Sequence, residues 1–375
     1  MYSPVDQSQS SELELRRDSW LYAAKRTVRE FSRDGATDLA AALTYYSVLS
    51  MVPGMLALLS MLSMISSGPE TRDFMVQTIR QISTPEMGDN ADALLTQLGE
   101  QTGAGWTLIA GLLVALWSAS AYVGAFGRAL NRTYGTAEGR PLWKLRPQMY
   151  LLTLVILCLA VVAIAILVLS GPVAEGIGSV LGLGEATLLA WNIAKWPVLL
   201  LIAVLMVALL YHFTPNVRQP RFRWISAGSL GALVVLGLST AGFFFYVLNF
   251  SKYQSAYGAL GGVIILLLWI WLANISLLLG SELDAELERA RELRRGLPAE
   301  DTLALPTRDD TGIAKAQLAL LDDRDNGRAL RVRAGGDAHP DADLPGPRLP
   351  WGLLTGAAGA VAAYLVGRRH GAGRQ

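Results

Sequence analysis

Residues 257–288, YGALGGVIILLLWIWLANISLLLGSELDAELE, constrain the fold of this chain more than any other stretch. The first 23 of them carry no charge and are mostly Leu, Ile, Val and Trp. A helix needs roughly 20 such residues to cross a bilayer, and apolar character on every side is typical of a helix buried in lipid. Glu282 and Asp284 then begin a charged run, which predicts that the hydrocarbon boundary lies near Gly280.

Five further apolar runs repeat this pattern and define the fold class. Hydrophobic residues make up 52% of the chain and charged residues 17%, against roughly one quarter charged in soluble domains. We therefore predict an all-α fold, a polytopic membrane bundle of six transmembrane helices, occupying residues 39–288. The predicted spans cover residues 40–65, 106–126, 150–169, 191–213, 224–250 and 257–280.

Basic residues alternate between the connections and predict the topology. Lys and Arg are concentrated in the N-terminal segment, in residues 128–146 and 218–223, and after residue 288, whereas the alternate loops hold only Arg72, Arg80 and Lys252. The positive-inside rule then places both ends of the bundle in the cytoplasm.

The segments outside the spans have simpler expectations. Residues 1–38 form a cytoplasmic N-terminal segment whose amphipathic helix either lies on the membrane surface or caps the bundle as an ordinary soluble helix. Residues 68–105 form an extracytoplasmic helical loop. The Pro-, Gly- and Asp-rich residues 289–350 predict a disordered cytoplasmic tail. Residues 351–367 predict a short apolar helix, with a seventh span as the alternative.

Polar residues in three spans form a candidate cavity that opens towards the cytoplasm. The alternative is that these groups only bond to their own helix or to a neighbouring one. The members of this candidate polar cavity are Thr44, Tyr45, Tyr46, Ser47, Ser118, Ser120, Tyr122 and Asn274.

A second candidate cluster lies at the cytoplasmic ends of spans two and six. Glu282 and Glu286 share a helix face, and the hypothesis pairs them with side chains that end span two; solvated helix ends are the alternative. This candidate ion-pair cluster comprises Arg128, Asn131, Arg132, Glu282 and Glu286. Kinking and close helix packing are predicted at Pro53, Gly54, Gly258, Gly261 and Gly262.

No catalytic constellation is visible in the sequence. The three histidines are far apart, and no paired-histidine metal motif or phosphate-binding glycine loop occurs. Cys158 is the single cysteine and excludes an internal disulfide. The expectation is therefore a protein that is not an enzyme, with no catalytic residue, no metal and no cofactor. Apart from Lys195 and His212 near the two faces, the spans hold no ionisable Asp, Glu, Lys, Arg or His, which disfavours ion-coupled transport.

Four segments carry a resemblance to a known family. AALTYYSVLSMVPG at 41–54, WSASAYVGAFGRALNRTYG at 117–135, FTPNVRQPRFRW at 213–224 and residues 257–289 resemble the YihY/virulence factor BrkB family, once labelled ribonuclease BN-like. The resemblance covers residues 15 to 290 or so and implies a bacterial inner-membrane protein with a six-helix core. It also implies a link to envelope-lipid export or serum resistance, and supplies no catalytic residues.

The expected function is transport or flipping of a lipid or amphiphilic envelope component. The expected partners are membrane lipids, including lipopolysaccharide or another amphiphile, without nucleic acid; a homo-oligomer stays open. The alternative is a non-transporting scaffold for envelope assembly. The expected location is the bacterial inner membrane.

Overall fold

The computed structural model describes residues 17–65, 104–168, 185–219, 226–249 and 259–334. These residues form eight α-helices and one isolated antiparallel bridge between Val217 and Thr307. In chain order the helices are α1 (Arg17–Arg33), α2 (Ala36–Ile65), α3 (Ala104–Thr133), α4 (Leu142–Val168), α5 (Glu185–Phe213), α6 (Ala227–Asn249), α7 (Ala259–Arg294) and α8 (Thr311–Arg333).

Five described helical segments are long and apolar enough to cross a membrane. They are Gly111–Thr133, Leu142–Leu167, Thr187–Phe213, Ala227–Asn249 and Gly261–Arg294. The remaining predicted span, 40–65, falls within α2, which continues as helix through Pro53. The all-helical membrane bundle predicted from the sequence is confirmed, while the count of six spans and the cytoplasmic position of both ends stay predictions.

Glycines end two of the long helices where the polar connections begin. Gly135 and Gly296 adopt φ values of 61° and 76°, in the left-handed region that glycine enters without a Cβ penalty. The amides of Thr136 and Leu297 then bond back to carbonyls five residues earlier, at Asn131 and Glu292. A second bond at each end runs from the glycine amide to a carbonyl three residues earlier. These C-caps satisfy the last carbonyls of α3 and α7 and turn the chain out of the helix.

The buried core lies in the half of the bundle that contains the predicted cytoplasmic ends. α2 packs along α3, α6 packs along α7, and α1 packs against α7. Phe126, Leu130 and Leu278 are almost fully buried at the centre of this core. Along α4 and α6, by contrast, large apolar side chains such as Leu151 and Phe245 are exposed, as expected for surfaces that face lipid.

α6 and α7 approach each other closely at a pair of glycines. A Cβ on Gly228 would overlap the Gly280 carbonyl oxygen, and a Cβ on Gly280 would lie 2.6 Å from the Tyr211 hydroxyl. The helix-packing glycines predicted at the start of span six behave differently, because a Cβ on Gly262 would meet nothing within 4 Å and Gly258 lies outside the described residues. The tight α6–α7 contact therefore forms about five turns further along α7, at Gly280, where the Gly228 backbone meets it.

The predicted disordered tail needs correction. α7 continues as helix to Arg294, residues 297–310 lie against the loops that follow α3 and α5, and α8 follows. The composition of the segment gives no indication of these contacts, because they join it to residues far away in the sequence. The predicted helical loop 68–105 and the apolar helix 351–367 lie outside the described residues.

Candidate functional site

A chamber of about 390 Å³ lies among five helices of the bundle. α2 contributes Ser50, α3 contributes Ala119, α4 contributes Ile156, α5 contributes Leu210 and α7 contributes Ala273. This volume is within the range of roughly 300 to 1,000 Å³ that is usual for small-molecule sites. Most of its wall is aliphatic, so it suits an apolar group.

Tyr122 and Asn274 make part of the chamber wall polar, and they belong to a hydrogen-bonded relay that continues to Thr44, which is not among the lining residues, and so joins three helices. The Tyr122 hydroxyl donates to Asn274 Oδ1 at 2.9 Å, and Asn274 Nδ2 donates to Thr44 Oγ1 at 3.3 Å. The Thr44 hydroxyl in turn donates to the Ala40 carbonyl at 2.8 Å. Asn274 is 2% exposed, so its bonds join α2, α3 and α7 in a region that offers few other partners.

The candidate polar cavity from the sequence is thus divided between two surroundings. Thr44, Tyr122 and Asn274 form the relay, and Ser47 lines the chamber while donating to the Leu43 carbonyl at 2.9 Å. Ser120 is buried and bonds to the Trp117 carbonyl of its own helix. Tyr45 is 62% exposed, the Tyr46 ring contacts Arg128, and Ser118 is not among the lining residues.

Buried charges collect at the far end of α7, two turns beyond Asn274. Glu282 and Glu286 are each 1% exposed. Glu282 accepts from the Thr133 hydroxyl at 3.1 Å and interacts with the Asp34 carboxyl.

The arginine partners in this cluster differ from those predicted. Glu286 pairs with Arg26 of α1 and Arg289 of its own helix, both at 3.1 Å. Arg128 instead lies over the Tyr46 ring, and Arg132 acts electrostatically on Asp34. The hypothesis left out α1, whose small buried residues bring Arg26 against α7.

The spacing of small and charged residues along α1 indicates which helix face meets α7. Ala23 and Thr27 are 0% and 4% exposed and stand four residues apart, so they form one face of the helix. Arg26 and Glu30 border that face. A charged pair beside small residues on an amphipathic helix therefore indicates contact with a neighbouring helix that carries acids.

A third polar group fastens residues 297–310 to the bundle through Asn216. Its backbone amide donates to Asn131 Oδ1 at 2.7 Å, and its Nδ2 donates to the carbonyls of Ala137 and Asp309 at 3.1 and 2.9 Å. Its Oδ1 accepts from the Asp309 amide at 3.2 Å. Asn131 was predicted to pair with the α7 acids. In the structure it accepts a hydrogen bond from Asn216 and donates one to Glu138 at 3.1 Å.

Arg140 links the loop after α3 to the loop after α5 through several hydrogen-bond acceptors. Its guanidinium donates to both Glu138 oxygens and, at 2.6 Å, to the Thr214 carbonyl. Burial acts to raise the pKa of Glu138, but the hydrogen bonds from Arg140 outweigh it and the pKa is lowered. The carboxylate is therefore kept ionised beside the guanidinium.

Asp34 gives the corner between α1 and α2 a testable pH dependence. Burial raises the pKa of its carboxyl above 3.8, with Arg132 acting against the rise and Glu30 adding to it. A raised carboxyl pKa in the folded state contributes stability that is present below the unfolded pKa and is lost as pH rises through the folded value. We expect Asp34→Asn to reduce the loss of thermal stability with rising pH.

The measurement is the midpoint of thermal unfolding in detergent from about pH 4 to about pH 8. Asp38→Asn is the matched control, because it removes the same charge from an exposed position on α2. An Asp34→Asn profile that parallels the wild-type and Asp38→Asn profiles would contradict the assignment.

Within the described ranges, no three His, Cys, Asp or Glu side chains are grouped so that they could hold a metal ion. Helices, chamber and polar ends together define the class: the chain is an integral, multi-pass helical membrane protein.

The family model for "Virulence factor BrkB" matches residues 27–303, and the chain belongs to that family. A protein of Bacillus subtilis named "Putative ribonuclease-like protein YfkH" is 28% identical over 68% of this chain and 90% of its own length. A "UPF0761 membrane protein" of Pseudoalteromonas atlantica is 31% identical over 72% of this chain and 88% of its own. No solved structure matches.

Proposed function

We propose that this protein moves a lipid or a similar amphiphile between the leaflets of the bacterial inner membrane by way of the chamber. The observation that carries the proposal is a half-open cavity of about 390 Å³ between the helices, with mostly aliphatic walls and a small polar part. An amphiphile needs both surfaces while it leaves one leaflet, because its chain avoids water and its polar part avoids hydrocarbon.

The polar wall suits an uncharged or dipolar part of such a molecule. Tyr122 and Asn274 line the chamber and already bond to each other, so a glycerol hydroxyl or ester entering the chamber replaces an existing hydrogen bond with a new one. Among the residues that the structure describes, those that line the chamber include no Asp, Glu, Lys, Arg or His. We therefore infer movement down a gradient, since ion-coupled carriers place such a residue near the midplane.

Filling the chamber tests the proposal. Ala119 lies on its wall, and Ala119→Phe places a ring in the space without adding a polar group. We expect wild-type protein in liposomes to scramble a fluorescent phospholipid faster than protein-free vesicles, and Ala119→Phe to return the rate close to that background.

Ala165→Phe is the matched control, because Ala165 is exposed on α4 in the lipid-facing half of the bundle and a ring there leaves the chamber open. This control should scramble at the wild-type rate. Equal rates for Ala119→Phe and wild-type protein, or a wild-type rate no higher than that of empty vesicles for several lipid classes, would contradict the proposal.

A scaffold for envelope assembly is the second candidate function, and α8 is the observation that favours it. This helix has no buried residue, and Leu320 and Leu330 are 60% and 67% exposed. Large exposed apolar side chains on a helix are available to a partner. Two results together would favour the scaffold over transport: no scrambling by the wild-type protein, and envelope defects in cells whose copy of the protein lacks residues 311–334.

A further inference from the structure

Arg128 lies on the outer side of the bundle, in the groove between α2 and α3. Its guanidinium carbon is 5.9 Å from the centre of the Tyr46 ring. Nη1 lies 3.8 Å from the place that a Cβ on Gly124 would occupy. The side chain therefore runs back by one turn towards the middle of α3, and the missing side chain at Gly124 leaves room beside it.

This guanidinium is exposed and has no carboxylate partner among the residues that the structure describes. The cation–π contact with Tyr46 offsets part of its charge and leaves its N–H donors open. Arg132, one turn further along α3, differs from Arg128 because it interacts electrostatically with the Asp34 carboxyl. Within the described part of the chain, no anionic side chain pairs with Arg128 in this groove.

The surroundings of the groove are apolar and face outwards. Trp117 lies on the same face of α3 as Gly124 and Arg128 and is 63% exposed. Tyr45 packs edge-on against Tyr46 at 5.6 Å and is 62% exposed. Aromatic residues beside a basic residue are typical of the boundary between hydrocarbon and headgroups.

We propose that Arg128, Tyr46 and Gly124 form a binding site for the phosphate of an anionic glycerophospholipid. A guanidinium presents a planar fork of donors that matches phosphate oxygens, and charge-assisted bonds of this kind are the stronger ones. The acyl chains follow the groove past Gly124 towards Trp117. The site lies on the opposite side of α3 from the chamber and holds its lipid whether or not the protein transports one.

A lipid binds here rather than free phosphate because the groove supplies more apolar surface than charge. A free anion would gain a single guanidinium and lose its hydration, whereas a lipid also buries its chains against Tyr45 and Trp117. The lipid therefore gains the hydrophobic contribution that free phosphate lacks.

Native mass spectrometry of the full-length protein, titrated with dioleoylphosphatidylglycerol in detergent, measures this binding. We expect Arg128→Gln to weaken the tightest site by about fivefold or more, as the loss of a charge-assisted hydrogen bond predicts. Arg128→Lys keeps the charge without the planar fork, so its affinity should lie between the two. Dioleoylglycerol, which lacks the phosphate, should bind wild-type protein and Arg128→Gln alike.

Arg146→Gln is the matched control, because it removes one exposed positive charge from α4 and should leave the tightest site unchanged. Equal loss in Arg128→Gln and Arg146→Gln would overturn the proposal in favour of general surface charge. Competition by millimolar inorganic phosphate against wild-type binding would overturn the lipid as the ligand. Thermal unfolding of each variant in detergent shows that the compared proteins are folded.

Discussion

Gly280→Ala is expected to destabilise the protein by about 1–3 kcal/mol, the usual cost of forcing an extra methyl group into a packed interior. The added Cβ would lie 2.5 Å from both the Ala232 Cβ and the Gly228 carbonyl oxygen. These neighbours are mostly backbone or short side chains, so relief requires α6 and α7 to move apart. The loss appears as a lower unfolding midpoint for the detergent-solubilised protein.

Gly262→Ala is the matched control on the same helix. A Cβ there meets nothing within 4 Å, and alanine is favoured over glycine within a helix by about 1 kcal/mol. The control should be as stable as wild-type protein or slightly more so. If Gly280→Ala matched Gly262→Ala, the close approach of α6 and α7 would be wrong.

Asn216→Ala is expected to release residues 297–310 and α8 from the bundle, at a cost of about 3 kcal/mol for the loss of the three hydrogen bonds that its side chain makes. Asn216 is fully buried, and its side chain makes three hydrogen bonds, two of them to Asp309. Without it, the Ala137 and Asp309 carbonyls lose a donor and the Asp309 amide loses an acceptor. Faster hydrogen exchange across residues 300–334, with the helices of the bundle protected as before, measures the release.

Asn249→Ala serves as the control for this change. Asn249 is exposed at the end of α6 and makes one bond to the Phe245 carbonyl, so its loss should alter exchange only near that end. Unchanged exchange at 300–334 in Asn216→Ala would contradict the fastening described for Asn216.

The sequence predicted the membrane helices well because lipid imposes one strong requirement. Every backbone group inside hydrocarbon must bond within its own helix, so long apolar runs such as 259–280 become helices whatever their neighbours. Residues 297–334 follow no such rule. Their order comes from contacts with distant loops, such as those of Asp309 with Asn216, and local composition does not encode those contacts.

The candidate site was predictable only at the level of residue type. Asn274 and Tyr122 stand out as polar groups in apolar runs, and the structure joins them directly. Which side of a helix faces inwards is set by packing, and an apolar span carries little periodic signal for it. Tyr45 therefore points outwards although Thr44, the preceding residue, joins the relay. The partner of Glu286 was missed for the same reason, because Arg26 reaches it only through the packing of α1 on α7.

The central proposal, that an amphiphile enters the bundle, is tested most directly by an electron cryomicroscopy structure in nanodiscs that contain phospholipids brominated on their acyl chains. The proposal predicts a bromine peak inside the chamber, beside Ala119 and Ala273, and loss of that peak in Ala119→Phe. Bromine peaks confined to the outer surface of the bundle, with the chamber closed by its own side chains, would contradict it.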